Sequence, residues 1–272
     1  MSTVIRVDDV SVRRGGSLIL DRVSWTVDEA DRWVVIGPNG AGKTTLMRVI
    51  SAAMFPSSGE VSLLDEVMGR VDVFELRPRI GVCSSAVAGQ IPPEERVRDI
   101  VLSAAYAVFG RWREVYRPVD ERRADLLMED LGVGHLAGRA FGTLSEGERK
   151  RVQIARALMT DPEVLILDEP TADLDLAGRE LLLDTLSLIV LEPRAPASIM
   201  VTHHVEEIPI GVTHGLLMKQ GRVTAAGPLE RVMTAPTLSA TFDLPLEVGC
   251  RGGRWWAQAT FGGRRVQGGP DR

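Results

Sequence analysis

The sequence contains few of the residues that mark disulfide-rich, metal-rich or lysine-rich proteins. Among 272 residues there are only two cysteines, Cys83 and Cys250, which lie far apart and in no metal-binding spacing. This excludes a disulfide framework and a cysteine-based zinc site, and we interpret both cysteines as packing residues of a protein in a reducing cytosol. Lysine is equally scarce, since Lys43, Lys150 and Lys219 are the only lysines among 32 basic residues.

Long apolar runs and an excess of positive charge are also lacking. Residues 1–6 do not form the apolar stretch of a signal peptide, and the apolar run at 181–191 is broken by Asp184. We therefore expect a protein that reaches a membrane only through a partner. The net charge of −5 argues against a surface that generally binds nucleic acid. A composition of 44% hydrophobic and 25% charged residues suits one globular α/β domain with a smaller appendage.

The most informative feature present is a glycine-rich loop at residues 37–44, which has the pattern G-x-x-x-x-G-K-[ST]. A strand-like apolar run precedes it and helical spacing follows it, which is the context that this phosphate-binding motif needs. Backbone N–H groups of such a loop point at phosphate oxygens, at the positive end of the next helix. A glycine-rich turn with a solvated lysine is the structural alternative. The motif predicts that nucleotide is bound by Gly37, Pro38, Asn39, Gly40, Ala41, Gly42, Lys43, Thr44 and Thr45.

Two residues of this loop have specific expected roles. Lys43 would reach the β- and γ-phosphates, and the Thr44 hydroxyl would be a ligand of Mg²⁺.

The pattern of apolar residues predicts an α/β fold. Strands are expected at 4–12, 17–27, 32–36, 60–64, 66–71, 79–83, 164–167, 198–202, 215–218 and 222–226. Helical spacing occurs at 94–109, 120–131 and 145–159, with short helices at 229–234 and 237–242. We expect a mostly parallel core sheet, an N-terminal antiparallel β-subdomain and an inserted helical subdomain at about 84–160, all within residues 3–240. A small hairpin at 241–261 and a disordered tail at 262–272 would follow.

A second candidate site element is the pair of carboxylates that ends an apolar run at residues 164–169. A buried strand that terminates in acid places its carboxylates at the edge of the sheet where ligands bind. Asp168 would hold Mg²⁺, and Glu169 would orient and deprotonate an attacking water. The structural alternative is an Asp-Glu turn that leads into Pro170.

A third element precedes a long amphipathic helix. Ser145 and Glu148 have the spacing of a capping box, so the segment can simply be a well-started helix. The serine hydroxyl and the N–H groups near Gly147 could also bind a phosphate, because a cap and an anion site use the same donors.

Five motifs in sequence order resemble those of the ATP-binding cassette (ABC) ATPases. They are the Walker A loop at 37–45, the signature at 144–148, the Walker B strand at 164–169, the D-loop at 172–175 and the switch histidine at 201–203. The resemblance covers roughly residues 3–235. It implies a P-loop NTPase fold and a head-to-tail dimer with two ATP molecules and Mg²⁺ at the interface.

The resemblance also implies roles for individual residues. Ser145 and Gly147 of one subunit would contact the γ-phosphate held by the other subunit. His203 would touch that phosphate and support the attacking water. Asp175 would position groups across the dimer, although an aspartate there is equally suited to cap a helix.

Several positions depart from the family pattern. The aromatic residue that stacks on adenine should fall near Arg14, whose guanidinium can also stack on a base, whereas Trp25 and Trp33 are interpreted as core residues. Ser84 or Ser85 stands where the Q-loop glutamine is expected.

Two further departures concern charge. The signature has Glu146 and Glu148 where glycine and glutamine are usual, from which we expect weaker closure of the dimer. His204 replaces a frequent aspartate and is taken as peripheral.

The function implied by the resemblance is ATP hydrolysis by the nucleotide-binding subunit of a transporter. Its partners would be a second copy or a paralogous cassette, together with transmembrane permease subunits, and no direct nucleic-acid partner is expected. It would be cytoplasmic and peripheral on the inner face of the cell membrane. Two alternatives are a soluble ABC ATPase acting on nucleic acid, ribosomes or protein assembly, and a nucleotide-binding regulatory module with little turnover.

Overall fold

The computed structural model describes residues 2–110 and 114–260, so the tail expected at 262–272 lies outside the described residues. Within those ranges the strands are β1 (Thr3–Arg14), β2 (Ser17–Asp28), β3 (Arg32–Ile36), β4 (Ser58–Leu63), β5 (Glu66–Val67), β6 (Ile80–Cys83), β7 (Val164–Asp168), β8 (Ala197–Thr202), β9 (His214–Lys219), β10 (Arg222–Pro228), β11 (Leu246–Arg251) and β12 (Arg254–Ala259). The helices are α1 (Lys43–Ile50), α2 (Val73–Leu76), α3 (Ser85–Ala88), α4 (Val97–Ser103), α5 (Pro118–Asp130), α6 (Glu146–Leu158), α7 (Leu176–Leu191), α8 (Leu229–Val232) and α9 (Ala235–Phe242).

The central sheet has the strand order β10-β9-β3-β8-β7-β6. All its neighbouring strands are parallel except β9 and β10. Every residue of β3 and β8 is buried, as expected for parallel strands that are covered on both faces. The carboxyl ends of β3, β8 and β7 are therefore adjacent at one edge, where open α/β sheets bind ligands. The predicted α/β class with a mostly parallel core is confirmed.

The N-terminal sheet is antiparallel, with the order β2-β1-β4-β5, as predicted. Gly15 and Gly16 connect β1 to β2 with φ values of +54° and +82°, the left-handed conformations that a tight hairpin turn requires. Trp25 and Trp33 are each 5% exposed and pack edge to face with ring centroids 5.3 Å apart. Their interpretation as core residues is confirmed, and the pair joins the two sheets.

The helical segment packs on the opposite face of the central sheet. Helices α4, α5 and α6 share an apolar core with β6 and β7. Burying side chains such as Leu102, Ile154 and Leu165 stabilises this layer by about 1.5–3 kcal/mol each. Cys83 belongs to the same core, where burial raises the pKa of its thiol to about 12. Cys250 is exposed. The prediction that both cysteines are packing residues is therefore confirmed for Cys83 and wrong for Cys250.

Several elements differ from the sequence expectations, among them the unpredicted four-residue helices α2 and α3. The helix expected at 94–109 is α4 plus a 3-10 turn, and Ala107 ends it in a left-handed conformation with φ +55°. The strand expected at 66–71 stops at Val67, because Gly69 at φ +92° turns the chain. Helix α7 was not predicted, since its leucines are distributed over buried and exposed faces alike and leave no clear helical period.

The last two strands of the described residues, β11 and β12, form an antiparallel hairpin that turns through Gly252 and Gly253. Both glycines have positive φ, +60° and +79°, as a two-residue hairpin turn demands. Trp255 and Ala257 pack the hairpin against a small core that includes Val205. Across the described ranges, every helix is too short or too polar to traverse a membrane.

Candidate functional site

The glycine-rich loop joins β3 to α1, and two of its glycines, Gly37 and Gly42, lie where a side chain would clash with neighbouring backbone. A Cβ atom at Gly37 would lie 2.1 Å from the carbonyl oxygen of Met218. A Cβ atom at Gly42 would lie 2.9 Å from the carbonyl oxygen of Ile19, and Gly42 also has φ +96°. The loop is therefore held between β9 and β2, with its backbone turned to one side in the way that phosphate cradles require.

Lys43 is the first residue of α1 and is 5% exposed. Its Nζ donates hydrogen bonds to the carbonyl oxygens of Gly37, at 2.7 Å, and Pro38, at 3.1 Å. Burial lowers the pKa of the ammonium, and the carboxylates of Glu169 and Asp168 act against that shift. The loop thus keeps a partly desolvated cation where the phosphates of a nucleotide would neutralise it.

A cavity of about 360 Å³ opens beside the loop. Its lining consists of Ile19, Asn39, Gly40, Ala41, Gly42, Lys43, Thr44, Thr45 and Glu169. The predicted loop residues from 39 to 45 and the predicted base therefore share one cavity, whereas Gly37 and Pro38 lie behind it as partners of Lys43. Ile19 was missed by sequence reasoning, because its place beside the loop depends on how the two sheets pack.

Asp168 ends β7 and meets the requirements of a cation ligand. Its Oδ1 is buried and has no hydrogen-bond partner among the described residues. Burial raises the pKa of this carboxyl, the charge of Glu169 adds to the shift, and a hydrogen bond from Thr44 opposes it. A buried carboxylate with a free oxygen is stabilised by a nearby cation.

The donor set fits Mg²⁺ better than a transition metal. No cluster of three or more His, Cys, Asp or Glu side chains suited to a metal occurs in residues 2–110 and 114–260. Mg²⁺ is commonly bound by one or two protein oxygens together with substrate phosphates, which Thr44 and Asp168 can supply beside the loop.

Glu169 and His203 come together at the same edge of the sheet. Glu169 has a left-handed backbone, φ +51°, and its N–H donates to the carbonyl oxygen of Val201 at 3.0 Å. His203 follows β8, and its Nδ1 lies 3.5 Å from Glu169 Oε1. About a third of each side chain is exposed, 33% for His203 and 36% for Glu169, so water can reach both.

The turn behind His203 is held by a buried pair that sequence reasoning missed. The Thr202 hydroxyl donates to the Glu207 carboxylate and accepts from the His204 N–H at 3.0 Å. Thr202 is fully buried and Glu207 is 6% exposed. The sequence predicts a peripheral position for His204, and its ring centroid lies 4.1 Å from that of His203. His204 is exposed to solvent and is nevertheless a direct neighbour of His203.

The signature residues lie outside this cavity. Ser145 is exposed and caps α6, and its N–H and hydroxyl donate to Glu148 Oε2 at 2.7 and 2.9 Å. The hydrogen bond from the Ser145 N–H is the largest cause of a pKa of the Glu148 carboxyl below its usual range, and the bond from the Ser145 hydroxyl adds to it. The capping box is confirmed. Neither Ser145 nor Gly147 lines the cavity of its own chain, as far as the described residues show.

Asp175 caps α7 by accepting a hydrogen bond from the Gly178 N–H at 2.7 Å. The side chain of Asp175 is exposed and does not reach the cavity among the described residues. The structure therefore confirms that Asp175 caps a helix.

The residues at the atypical positions are also separate from the cavity. Arg14 is exposed at the end of β1, and in the described residues it is Ile19 that lines the cavity from this sheet. Ser84 caps the short helix α3 by accepting from the Val87 N–H at 3.3 Å. The segment in the place of the Q-loop therefore begins with a helical turn.

A second cavity, of about 430 Å³, lies on the N-terminal sheet and is lined by Asp9, Asp21, Arg22, Ser24, Arg222 and Val223. Arg222 Nε donates to Asp21 at 2.7 Å and holds the pKa of that carboxyl below its usual range. Asp21 is paired with both Arg22 and Arg222, so the arginines of this cavity already have a carboxylate partner, unlike the buried Lys43 of the loop site.

Comparison with known proteins agrees with the geometry. Residues 20–172 match the ABC transporter family. The chain is 43% identical to an uncharacterized ABC transporter ATP-binding protein, YlmA, of Bacillus subtilis, over 90% of this chain and 93% of that protein. It is 33% identical to the energy-coupling factor transporter ATP-binding protein EcfA of Methanoculleus marisnigri, over 88% and 84%.

A solved structure resembles the whole fold. The structure of cbiO1 from Clostridium perfringens, part of the ABC transporter complex cbiONQ, has a TM-score of 0.74 and 26% identity, covering 88% of this chain and 94% of that one. The matches include the loop, the signature and the carboxylate pair. The chain therefore belongs to the ABC transporter family, as an ATP-binding subunit that hydrolyses ATP at its P-loop.

Proposed function

We propose that this subunit closes head to tail with a second copy around two Mg-ATP and thereby drives transport by transmembrane permease subunits. The observation that carries the proposal is the composition of the cavity, which has a phosphate cradle, a cation and a carboxylate base. Ser145 and Gly147, the donors at the start of α6, point to a partner because they do not line the cavity of their own chain in the described residues.

The residues of the chain divide the work of hydrolysis between them. Lys43 would exchange the carbonyl oxygens of Gly37 and Pro38 for β- and γ-phosphate oxygens. Glu169 would accept the proton of the attacking water, and His203 would hold that water against the γ-phosphate. When bound by Thr44 and Asp168, Mg²⁺ would neutralise charge on the phosphate oxygens. Positioning and charge neutralisation supply most of the catalysis in this class of reaction.

The dimer partner is most simply a second copy of the chain, because one chain carries both halves of the composite site. Ser145 must release its hydroxyl from Glu148 before it can donate to a phosphate. The Glu148 carboxylate also brings negative charge towards the triphosphate, so closure should be weaker than with a neutral side chain. A paralogous cassette is the alternative partner.

The adenine-binding part is proposed at the open side of the cavity. Ile19 supplies apolar surface there, and Arg14 extends from the same sheet into solvent. A guanidinium can stack on a base, which keeps Arg14 as a proposed contact.

We also propose the domain organisation and location that follow. In this proposal residues 3–240 form the ATPase domain, with a helical subdomain at about 84–160. A small hairpin unit follows at 241–261, and its strands are Leu246–Arg251 and Arg254–Ala259. The protein acts at the inner face of the cell membrane through its permease partners. The names of its relatives support this, since they are ATP-binding proteins of transporters.

Purification of the tagged chain from native membranes tests the transport role. We expect a protein with many membrane spans to be recovered together with the tagged chain. It should be absent when the same purification is made from an extract without the tagged chain. Recovery of ribosomal proteins or nucleic-acid-bound partners instead would replace transport with the soluble alternative. A neutral surface variant, Glu192→Gln, serves as the control because Glu192 is exposed and lies outside the cavity.

A further inference from the structure

A single arginine of the C-terminal hairpin connects two elements that flank the site. Arg254 donates from Nη1 to Glu180 Oε2 at 2.9 Å and from Nη2 to Glu180 Oε1 at 3.3 Å. The same Nη2 donates to the backbone carbonyl oxygen of Glu206 at 2.9 Å. Forked, charge-assisted bonds of this kind fix geometry as well as adding energy.

The hairpin also holds Glu206 through its side chain. The N–H of Ala257 donates to Glu206 Oε1 at 3.1 Å. Glu206 lies in the 3-10 turn Val205–Glu207, which starts one residue after the His203–His204 pair. The side chains of Val205 and Trp255 belong to the same apolar core. Backbone, carboxylate and apolar contacts thus all fasten this turn to β12.

The other end of the connection is helix α7. Glu180 is the fifth residue of α7, the helix that begins directly after the D-loop residues. The Arg254 guanidinium is the main cause of a lowered pKa of the Glu180 carboxyl, so this acid stays ionised and paired at neutral pH. The side chains of Arg254 and Glu180 are 33% and 46% exposed, so the pair lies at the surface and its value for positioning comes from the forked geometry.

We infer that Arg254 is a positioning residue for His203. The β11–β12 hairpin acts as a brace, meaning that it holds residues 203–207, here called the switch turn, in a fixed position relative to α7. The inference rests on the proposed role of His203 in hydrolysis. Arg254 touches neither the cavity nor Glu169 in the described residues, so it would act on the chemical step without contributing to nucleotide binding.

The test is steady-state ATP hydrolysis by the full chain carrying Arg254→Gln. Because a small displacement of a catalytic group costs much in rate, kcat should fall about tenfold while KM stays within about twofold. Arg254→Lys keeps the charge but loses the fork, so its kcat should lie between those of Arg254→Gln and the unchanged chain. Arg251→Gln is the matched control, since Arg251 lies on the same hairpin, is exposed and makes no side-chain bond among the described residues.

A second measurement separates positioning from general loss of structure. The chain has four histidines, so their ring signals can be resolved by NMR and assigned with single substitutions. Arg254→Gln should move the His203 ring signals and leave those of His135 in place. Glu180→Gln removes the carboxylate partner of Arg254 and leaves the bond to the Glu206 carbonyl oxygen in place. It should therefore move the His203 signals less, and lower kcat less, than Arg254→Gln does.

Three results would overturn the inference. They are a normal kcat for Arg254→Gln, an equal loss for Arg251→Gln, and a loss of kcat with unmoved His203 signals. The role of His203 itself is tested separately by measuring ATP hydrolysis of His203→Ala. Full turnover in that variant would contradict the proposed mechanism, whereas slow His203→Ala and normal Arg254→Gln would contradict the brace alone.

Discussion

His203 Nδ1 lies 3.5 Å from Oε1 of Glu169, at the carboxyl ends of neighbouring parallel strands. About a third of each side chain is exposed, and Glu169 lines the cavity beside the phosphate loop, which follows β3 on the other side of β8. In the proposed mechanism, the attacking water would lie between this pair of side chains and the γ-phosphate.

Replacement of the base should separate binding from hydrolysis. Glu169→Gln removes the proton acceptor but not the phosphate cradle, so turnover should fall by about 10²–10⁴-fold while ATP remains bound. The trapped dimer should elute earlier in size-exclusion chromatography with ATP and Mg²⁺. Glu192→Gln, an exposed control, should elute and turn over normally. Full turnover of Glu169→Gln would remove this residue from the role of base.

Loss of the loop lysine should abolish nucleotide binding. Lys43→Ala removes the buried cation that faces the phosphates, and truncating one partner of such a charge pair costs about 2–5 kcal/mol. Calorimetric titration with ATP measures the effect. Arg48→Ala on the same helix is the control, because Arg48 is exposed on the far turn of α1. Unchanged ATP affinity in Lys43→Ala would disprove the loop assignment.

The raised pKa of Asp168 predicts a pH-dependent stability of the ligand-free protein. A carboxyl whose pKa is higher in the folded than in the unfolded state stabilises the fold below its unfolded pKa, and this stability is lost as pH rises through the folded pKa. Asp168→Asn, which lacks the charge and can keep the bond to Thr44, should therefore raise the melting temperature at pH 7 in EDTA and change it little at pH 3.5.

The same variant should lose the stabilisation that Mg-ATP adds to the unchanged chain, because the carboxylate is the proposed metal ligand. Differential scanning calorimetry at the two pH values, with and without Mg-ATP, covers both expectations. A lower melting temperature of Asp168→Asn at pH 7 in EDTA would contradict the electrostatic argument.

The signature carboxylate should weaken closure of the dimer. Glu148→Gln removes a negative charge bonded to the Ser145 hydroxyl, so ATP-dependent dimerisation should become tighter when it is measured in the Glu169→Gln background. Glu146→Gln is the matched control, because the Glu146 carboxylate is already paired with Arg149 at 3.4 Å. Sedimentation velocity gives the dissociation constants. Weaker dimerisation of Glu148→Gln would show that the cap matters more than the charge.

The role of Arg14 can be decided by comparing two ligands. If the guanidinium stacks on adenine, Arg14→Ala should weaken the binding of ATP more than the binding of inorganic triphosphate. Equal losses would place Arg14 on the phosphates instead. Arg13→Ala, a neighbouring exposed arginine, is the control, and competition binding measures both ligands.

Local patterns were sufficient for the parts of the site that are contiguous in sequence. The loop at 37–44 and the acids at 168–169 each follow a strand directly, so strand position and motif chemistry can be deduced together. The caps at Ser145 and Asp175 were likewise recognisable, because a cap is bonded within one turn of its own helix. Helix α7 escaped prediction since both of its faces carry leucine.

The sequence by itself determined the class of fold, the phosphate loop and the identity of the acidic and basic groups that surround it. Only the tertiary structure decided that Ile19 lines the cavity, that Lys43 rests on two loop carbonyls, that His204 lies against His203, and that Arg254 joins α7 to the switch turn. The physical reason is separation along the chain. A motif encodes bonds among near neighbours, whereas these contacts depend on how the sheets, α7 and the hairpin pack together.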